Sequence, residues 1–155
     1  MFFRTTSAHE FTNRLKLLET TGDGREKIFL DEGTGERWRE YYPYPDDRSP
    51  TQLRRDPLLD DLRTLIEECL SSHSPEDWCG LGAHLSGRFS AESIAPVLRE
   101  LAPRLPLEAL ERFGRCYRAQ DLRDIVGMDW TAMQESYKRF RVAVDEIASL
   151  THQTG

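Results

Sequence analysis

The chain has 155 residues, of which 38% are hydrophobic and 31% are charged. This composition is typical of one folded domain with its own core, and it shows no bias toward disorder. The formal net charge of −6 argues against non-specific binding to nucleic acid and is compatible with a basic partner. No apolar run approaches the roughly 18 residues of a membrane span, and the first residues do not match a secretory signal. The sequence therefore predicts a cytoplasmic protein without a membrane partner.

The first predicted element is an amphipathic helix. Residues 7–10 match a capping box, in which a serine and a glutamate three positions later satisfy the backbone of the first turn. Phe11, Leu15 and Leu18 follow at helical spacing, and Gly22 begins the turn that ends the pattern.

A β-hairpin is predicted next, with strands near residues 27–31 and 36–42. Both segments are rich in β-branched and aromatic residues, and the glycines at 33 and 35 between them can adopt the positive φ of a tight turn. A two-stranded ribbon is marginal on its own in water, so we expect one face to pack on the protein and the other to meet a partner.

Alternation of side chains along the strands defines the two faces of the hairpin. We expect Ile28 and Leu30, with one aromatic face, to belong to the scaffold. The face that carries Arg37, Arg39 and Tyr41 is the predicted contact face, because Tyr, Trp and Arg are the residues that most often anchor interfaces.

The remainder of the chain is predicted to be helical. A proline-bearing connector spans residues 43–56, and a short segment at 121–126 precedes Gly127. The last helix carries an apolar stripe that we expect to be core; it consists of Trp130, Met133, Tyr137, Phe140, Val144 and Ile147. Helices are predicted after the caps Asp56-Pro57, Ser74-Pro75, Ser90 and Asp129, and over a segment that begins at Leu107.

These elements predict a mainly α, α+β fold of about six helices packed with one two-stranded antiparallel hairpin. We expect a single domain over residues 1–155, in which an N-terminal helix and hairpin (1–45) are joined by the connector (43–56) to a helical region (57–150).

No catalytic or metal-binding pattern is present in the sequence. The three cysteines are widely spaced within helical patterns, so buried free thiols are favoured over a disulfide. Cys69 with His73, and Cys79 with His84, lack the spacing of paired zinc ligands, and no nucleotide-binding or nucleophile motif occurs. The sequence thus predicts a protein that is not an enzyme and holds no metal or cofactor.

One alternative is a DNA-binding regulator of the helix-turn-helix type. Residues 121–141 superficially match that motif, with Gly127 at the turn. Arg123 occupies a position where a small residue is usual, and the acidic chain argues against nucleic acid as a partner.

The hairpin resembles one that recurs in small bacterial immunity proteins, which are encoded beside polymorphic or contact-dependent secreted toxins. The resemblance covers residues 27–55 and lies in Phe29, Asp31, Gly35, Trp38 and the Tyr42-Pro43 pair, followed by a polar, proline-bearing loop and by Leu53-Arg54-Arg55. The glycine-rich stretch that follows Tyr-Pro in those proteins is replaced here by residues 45–50. The resemblance implies a non-catalytic protein that binds a cognate toxin or effector domain, such as a basic nuclease, and occludes its active site.

If the protein binds through the hairpin and the connector, aromatic side chains would anchor the contact and acidic ones would match cations on the partner. The predicted partner-binding residues are Asp31, Glu32, Glu36, Arg37, Trp38, Arg39, Glu40, Tyr41, Tyr42, Tyr44, Asp46, Asp47 and Arg48.

Overall fold

A computed structural model of the chain describes residues 1–5, 11, 13–44 and 50–152. Within these residues the chain forms a five-stranded antiparallel sheet followed by five helices. None of the described helices is both long enough and apolar enough to cross a membrane.

The sheet contains every strand of the described chain in the order β1-β5-β4-β3-β2. Its middle strands are the predicted hairpin, and Gly35 at its turn has the expected positive φ of 75°. The strands are β1 (Phe3–Thr5), β2 (Leu15–Thr20), β3 (Lys27–Asp31), β4 (Arg37–Tyr41) and β5 (Gln52–Arg55).

The helices follow the sheet in the chain, and a 3₁₀ turn at Ala102–Arg104 links the third to the fourth. Ser74, Ser90 and Asp129 cap three of them, as the sequence predicts, each by accepting a hydrogen bond from a backbone N–H of the first turn. The helices are α1 (Leu62–Ser71), α2 (Pro75–Ser86), α3 (Ala91–Leu101), α4 (Leu107–Cys116) and α5 (Trp130–Thr151).

The predicted fold of one hairpin and six helices is wrong, since the hairpin is the middle of a larger sheet. The segment that was expected to continue an N-terminal helix forms β2, and its Leu15 and Leu17 pair with Asp31 and Phe29 on β3. Residues 7–10, the predicted capping box, lie outside the described residues. The end of the predicted connector forms β5, which pairs with both β4 and β1.

The start of the first long helix also differs from the prediction. Asp61, rather than Asp56, is the N-cap, and its carboxylate accepts from the Thr64 N–H at 2.8 Å. Asp56 instead lies beside the arginines of β4, because its carboxylate accepts from Arg39 Nε at 3.3 Å.

The two faces of the sheet pack against different parts of the chain. On one face, Phe3 and Tyr41 contact α2, and Phe3 joins the main core between the helices. On the opposite face, Trp38 and Leu53 form a smaller core with Phe11, whose ring meets the Trp38 ring edge-on at 5.3 Å. Both faces of the predicted hairpin are therefore partly buried.

The first strand is fastened to α2 by a buried carboxylate. Asp77 Oδ1 accepts from the N–H of Phe2 at 2.6 Å and of Phe3 at 2.9 Å. A Cβ on Gly80 would come within 2.3 Å of the Phe3 Cβ, so only glycine permits this close approach. The helical layer thus positions the sheet through its shortest strand.

A disulfide joins Cys79 on α2 to Cys116 at the end of α4, with the two Cα atoms 5.3 Å apart. The prediction of three free thiols is therefore wrong for this pair. Cys69 is a free, buried cysteine, as expected. Sequence spacing did not reveal the pairing, because 37 residues separate two cysteines that helix packing brings together.

Candidate functional site

Three of the predicted contact residues lie inside the fold. Trp38 and Tyr41 are each 1% exposed, and Asp31 is 4% exposed. Asp31 stabilises the hairpin turn, since its carboxylate accepts from the Gly33 N–H at 2.9 Å. These three side chains serve the scaffold and cannot touch a partner in this conformation.

The other predicted contact residues divide by exposure. Glu32 and Arg37 are exposed, and Glu36, Arg39, Glu40, Tyr42 and Tyr44 are partly exposed. Asp46, Asp47 and Arg48 lie outside the described residues. A contact role for the accessible residues of the hairpin stays a prediction.

The predicted division between a scaffold face and a contact face of the hairpin does not hold. The register pairs Ile28 with Arg39 and Leu30 with Arg37, so the predicted scaffold residues share a face with the predicted contact residues. That face turns toward α2, where Tyr41 is covered. The error arose because alternation defines two faces but does not say which elements cover them.

Tyr41 is the centre of a buried hydrogen-bond network between the sheet and α2. Gln52 Nε2 donates to the Gly80 carbonyl at 3.0 Å and to the Tyr41 hydroxyl at 2.6 Å. The hydroxyl also lies 2.8 Å from His84 Nδ1, and the tautomer of the imidazole determines which of the two groups donates.

Burial explains the protonation behaviour of this network. The pKa of His84 falls from 6.5 to about 3, first because burial disfavours the imidazolium and then because Arg88 and Arg54 lie nearby. Burial also raises the pKa of Tyr41 well above its ordinary value. Both groups stay neutral near pH 7, which suits a structural network.

Arginines surround the open side of this network. Arg88 and Arg54 place their guanidinium carbons 4.6 Å and 5.6 Å from the centre of the Tyr41 ring. Asp56 is shared, since its carboxylate lies 3.4 Å from Arg37, 3.3 Å from Arg39 and 3.9 Å from Arg54. Arg39 also forms an ion pair with Glu26 at 2.6 Å.

The surroundings shift the pKa values of Arg54 and Arg39 in opposite directions. Burial, followed by repulsion from Arg39 and Arg88, lowers the pKa of Arg54 below its ordinary value. The pKa of Arg39 is raised, because its bonds to Glu26 and Asp56 outweigh the effect of burial. Arg54 is thus the less completely neutralised of the two.

A second candidate site is an exposed apolar surface at the N-terminal end of α5. Of the twelve large apolar side chains that the described residues leave exposed, six lie between positions 122 and 137. We call this the Trp130 surface; it consists of Leu122, Ile125, Val126, Met128, Trp130, Met133 and Tyr137.

The Trp130 surface contains a groove of about 460 Å³, lined in part by Trp130, Met133 and Tyr137. Trp130 is 70% exposed and Tyr137 is 50% exposed. Arg123 holds the preceding segment against the helix, because it donates to the Met133 carbonyl at 3.3 Å and lies 5.3 Å from the Tyr137 ring centre.

The apolar stripe of α5 therefore matches the prediction only in part. Phe140 and Ile147, in its C-terminal half, are buried in the main core, as expected. Trp130 and Tyr137, in its N-terminal half, were expected in the core and are exposed instead. The spacing of a stripe shows that one face is apolar, but it does not show how far neighbouring helices extend along that face.

The helix-turn-helix geometry does not form in the described chain. Residues 117–129 contain no helix, so the segment before Gly127 lacks the first helix of that motif. Gly127 itself has a positive φ of 78° and lies in the turn that leads to α5.

Sequence reasoning missed two features of these sites. Arg54 was named only as part of the resemblance and Arg88 not at all, since nothing in their local sequence distinguishes them from other arginines. The exposed apolar residues at 125–128 carry a detectable signal, because Ile125, Val126 and Met128 surround a glycine in a segment too short to bury them.

Comparison with known proteins gives no relative for this chain: no family model, no curated protein and no solved structure matches it.

Proposed function

We propose that the protein is a non-catalytic binding protein that neutralises a toxin or effector domain by occluding its active site. The resemblance of the hairpin to those of bacterial immunity proteins supports the class of function. The observation that carries the proposal is the Trp130 surface, because large exposed apolar patches are characteristic of protein interaction sites.

The Trp130 surface has the composition of an interface centre. Trp and Tyr are the residues that most often contribute large shares of binding energy, and Trp130 and Tyr137 flank one groove. An apolar segment of the partner would fill this groove and remove both rings from water.

Charges around the surface favour a basic partner. Between Asp121 and Lys138 the sequence has four carboxylates and two cations, so this segment is acidic, like the whole chain. An acidic rim around an apolar centre matches a basic toxin, such as a nuclease, in charge and would steer its approach.

The experiment is a calorimetric titration of the protein with the toxin domain encoded beside it. We expect binding by the wild-type protein and a loss of about tenfold or more in affinity for Trp130→Ala and Tyr137→Ala, since anchor residues contribute about 2 kcal/mol or more. Val142→Ala is the matched control, because Val142 is 66% exposed on the same helix and does not line the groove.

The possible outcomes test the proposed function and the Trp130 surface separately. Absence of binding by the wild-type protein would overturn the proposed function. Binding that Trp130→Ala leaves unchanged would overturn the Trp130 surface alone, and Glu32→Ala with Arg37→Ala would then test the accessible part of the hairpin.

The compartment is part of the proposal. A cytoplasmic location is expected of a protein that meets its toxin inside the cell, whereas the Cys79–Cys116 disulfide is typical of an oxidising environment. Thiol alkylation of separated cell fractions would test the cytoplasmic location, and an oxidised pair confined to the periplasmic fraction would contradict it.

A further inference from the structure

A cleft of about 370 Å³ opens between the end of β5 and the C-terminal end of α2. Arg54, His84 and Arg88 contribute its main hydrogen-bond donors. Leu58, Leu59 and Phe89 contribute apolar wall, so the cleft has a cationic part and an apolar part. This arrangement is separate from the Trp130 surface.

The two arginines of the cleft are only partly neutralised by the carboxylates around them. Arg88 donates to the carbonyls of Pro43 at 3.0 Å and Tyr42 at 3.4 Å, and no described carboxylate lies within ion-pair distance of it. Arg54 donates to the Arg55 carbonyl at 3.1 Å, and its nearest described carboxylate oxygen, 3.9 Å away, belongs to Asp56, which Arg37 and Arg39 also share. Asp56 and Asp60 both line the cleft, and Asp60 is exposed.

The neutral ring of His84 also lines the cleft, and its Nδ1 lies 2.8 Å from the Tyr41 hydroxyl. The two guanidinium groups are donors suited to the oxygens of one anion, since arginine binds such oxyanions through parallel hydrogen bonds.

We propose that this cleft binds a small organic phosphate monoester. The phosphate lies between Arg54 and Arg88, and the organic group lies against Leu58, Leu59 and Phe89. A dianion is favoured over a carboxylate because two guanidinium groups line the cleft and one of them, Arg88, has no carboxylate partner among the described residues. The lowered pKa of Arg54 is consistent with this placement, because burial and the nearby arginines are the conditions that a bound anion offsets.

The test is an NMR titration of the full chain with phenyl phosphate. We expect saturable shifts at Arg54, His84 and Arg88, and an affinity about tenfold or more weaker for Arg88→Gln, since a charge-assisted hydrogen bond is lost. Arg99→Gln is the control, because Arg99 is exposed on α3, pairs with Glu146 and does not line the cleft. This control should bind as the wild-type protein does.

Three related compounds test each part of the proposal. Phenol should not bind, inorganic phosphate should bind more weakly than phenyl phosphate, and benzoate should also bind more weakly. Equal binding of inorganic phosphate would overturn the role of the apolar wall, and equal binding of benzoate would overturn the preference for a dianion.

A second variant covers the case in which Arg88→Gln does not fold. Leu59 is 37% exposed, so Leu59→Glu should fold and should weaken binding by placing a carboxylate in the wall. No saturable shift in the wild-type protein, shifts confined to other residues, or unchanged affinity in both variants would overturn the site.

Discussion

At the scale of single residues, Tyr41 links the sheet to α2 through one hydroxyl group. It receives a hydrogen bond from Gln52 of β5 and shares another with His84 of α2, so three elements meet at this atom. A buried network of this kind is stabilising only while each member keeps its partner. The protonation state of His84 therefore matters for the stability of the fold.

We predict that His84 makes the free energy of unfolding decrease as the pH is lowered. The pKa of His84 is lowered from 6.5 to about 3 in the folded protein, so its contribution is complete above pH 6.5 and is lost as the pH falls toward 3. Between pH 6.5 and 5 this group should lower the free energy of unfolding by roughly 1.5–2 kcal/mol. Urea denaturation at several pH values would measure how the free energy of unfolding changes with pH.

The control for this prediction is His84→Gln, which removes the titrating group. Its free energy of unfolding should change less over the same pH interval, whatever its absolute stability. An identical slope in wild type and variant would show that His84 is not the cause.

At the scale of elements, the close packing of α2 on α4 depends on a glycine. A Cβ at position 82 would lie 2.6 Å from the Phe113 carbonyl oxygen, which belongs to the α4 backbone. We predict that Gly82→Ala lowers the free energy of unfolding by about 1–3 kcal/mol, because overpacking must move one of the helices.

Gly22→Ala is the matched control for Gly82→Ala. A Cβ at Gly22 meets nothing within 4 Å, so this variant should unfold close to the wild-type midpoint in the same thermal or urea melt. An equal loss of stability in both variants would instead point to an effect of the glycine substitution on the unfolded chain.

The disulfide links the same two helices, α2 and α4, at another point. We predict that Cys79→Ala with Cys116→Ala lowers the free energy of unfolding by about 2–4 kcal/mol, because the unfolded chain gains the freedom of a loop spanning 37 residues. Reduction of the wild-type protein should have a similar effect in the same denaturation assay. If reduction has no effect on the wild-type protein, the bond contributes no stability.

Local signals in the sequence predicted the starts of three helices correctly. Ser74, Ser90 and Asp129 were recognised as caps because capping is an interaction between a side chain and its own first turn. The hairpin was predicted for the same reason, as its strands are joined by a short turn.

Non-local pairing explains the errors. Phe11, Leu15 and Leu18 fit a helical spacing, but pairing with β3 makes residues 15–20 a strand. Leu53 was assigned to a connector because the β5 strand is short and pairs with the distant β1. The cleft that contains Arg54 and Arg88 was not predicted for the same reason, since these two residues come together only when β5 packs near α2.

At the scale of the whole molecule, the two candidate sites lie in different parts of the fold. The cleft involves the sheet and α2, whereas the Trp130 surface is formed by the segment after α4 and the start of α5. Ligand binding and partner binding can therefore be tested by independent variants.

The charge of the molecule leads to a prediction about the rate of association. If the partner is the proposed basic toxin domain, the net charge of −6 should make association faster at low ionic strength, and the association rate should fall as salt is added. Stopped-flow fluorescence would measure this rate. Dissociation should change less than association, and an association rate that is insensitive to salt would contradict electrostatic steering.

The position of β1 determines when the fold can be completed. Phe3 forms its hydrogen bond with Asp77 across 74 residues of chain, and Phe2 accepts from the Arg55 N–H on the neighbouring strand. Contacts that span so much sequence form late in folding, because a large loop must close first. Residues 1–5 must therefore stay available in a nascent chain until α2 has been synthesised. The amide of Phe3 should exchange with solvent hydrogen only when the sheet and the helices separate.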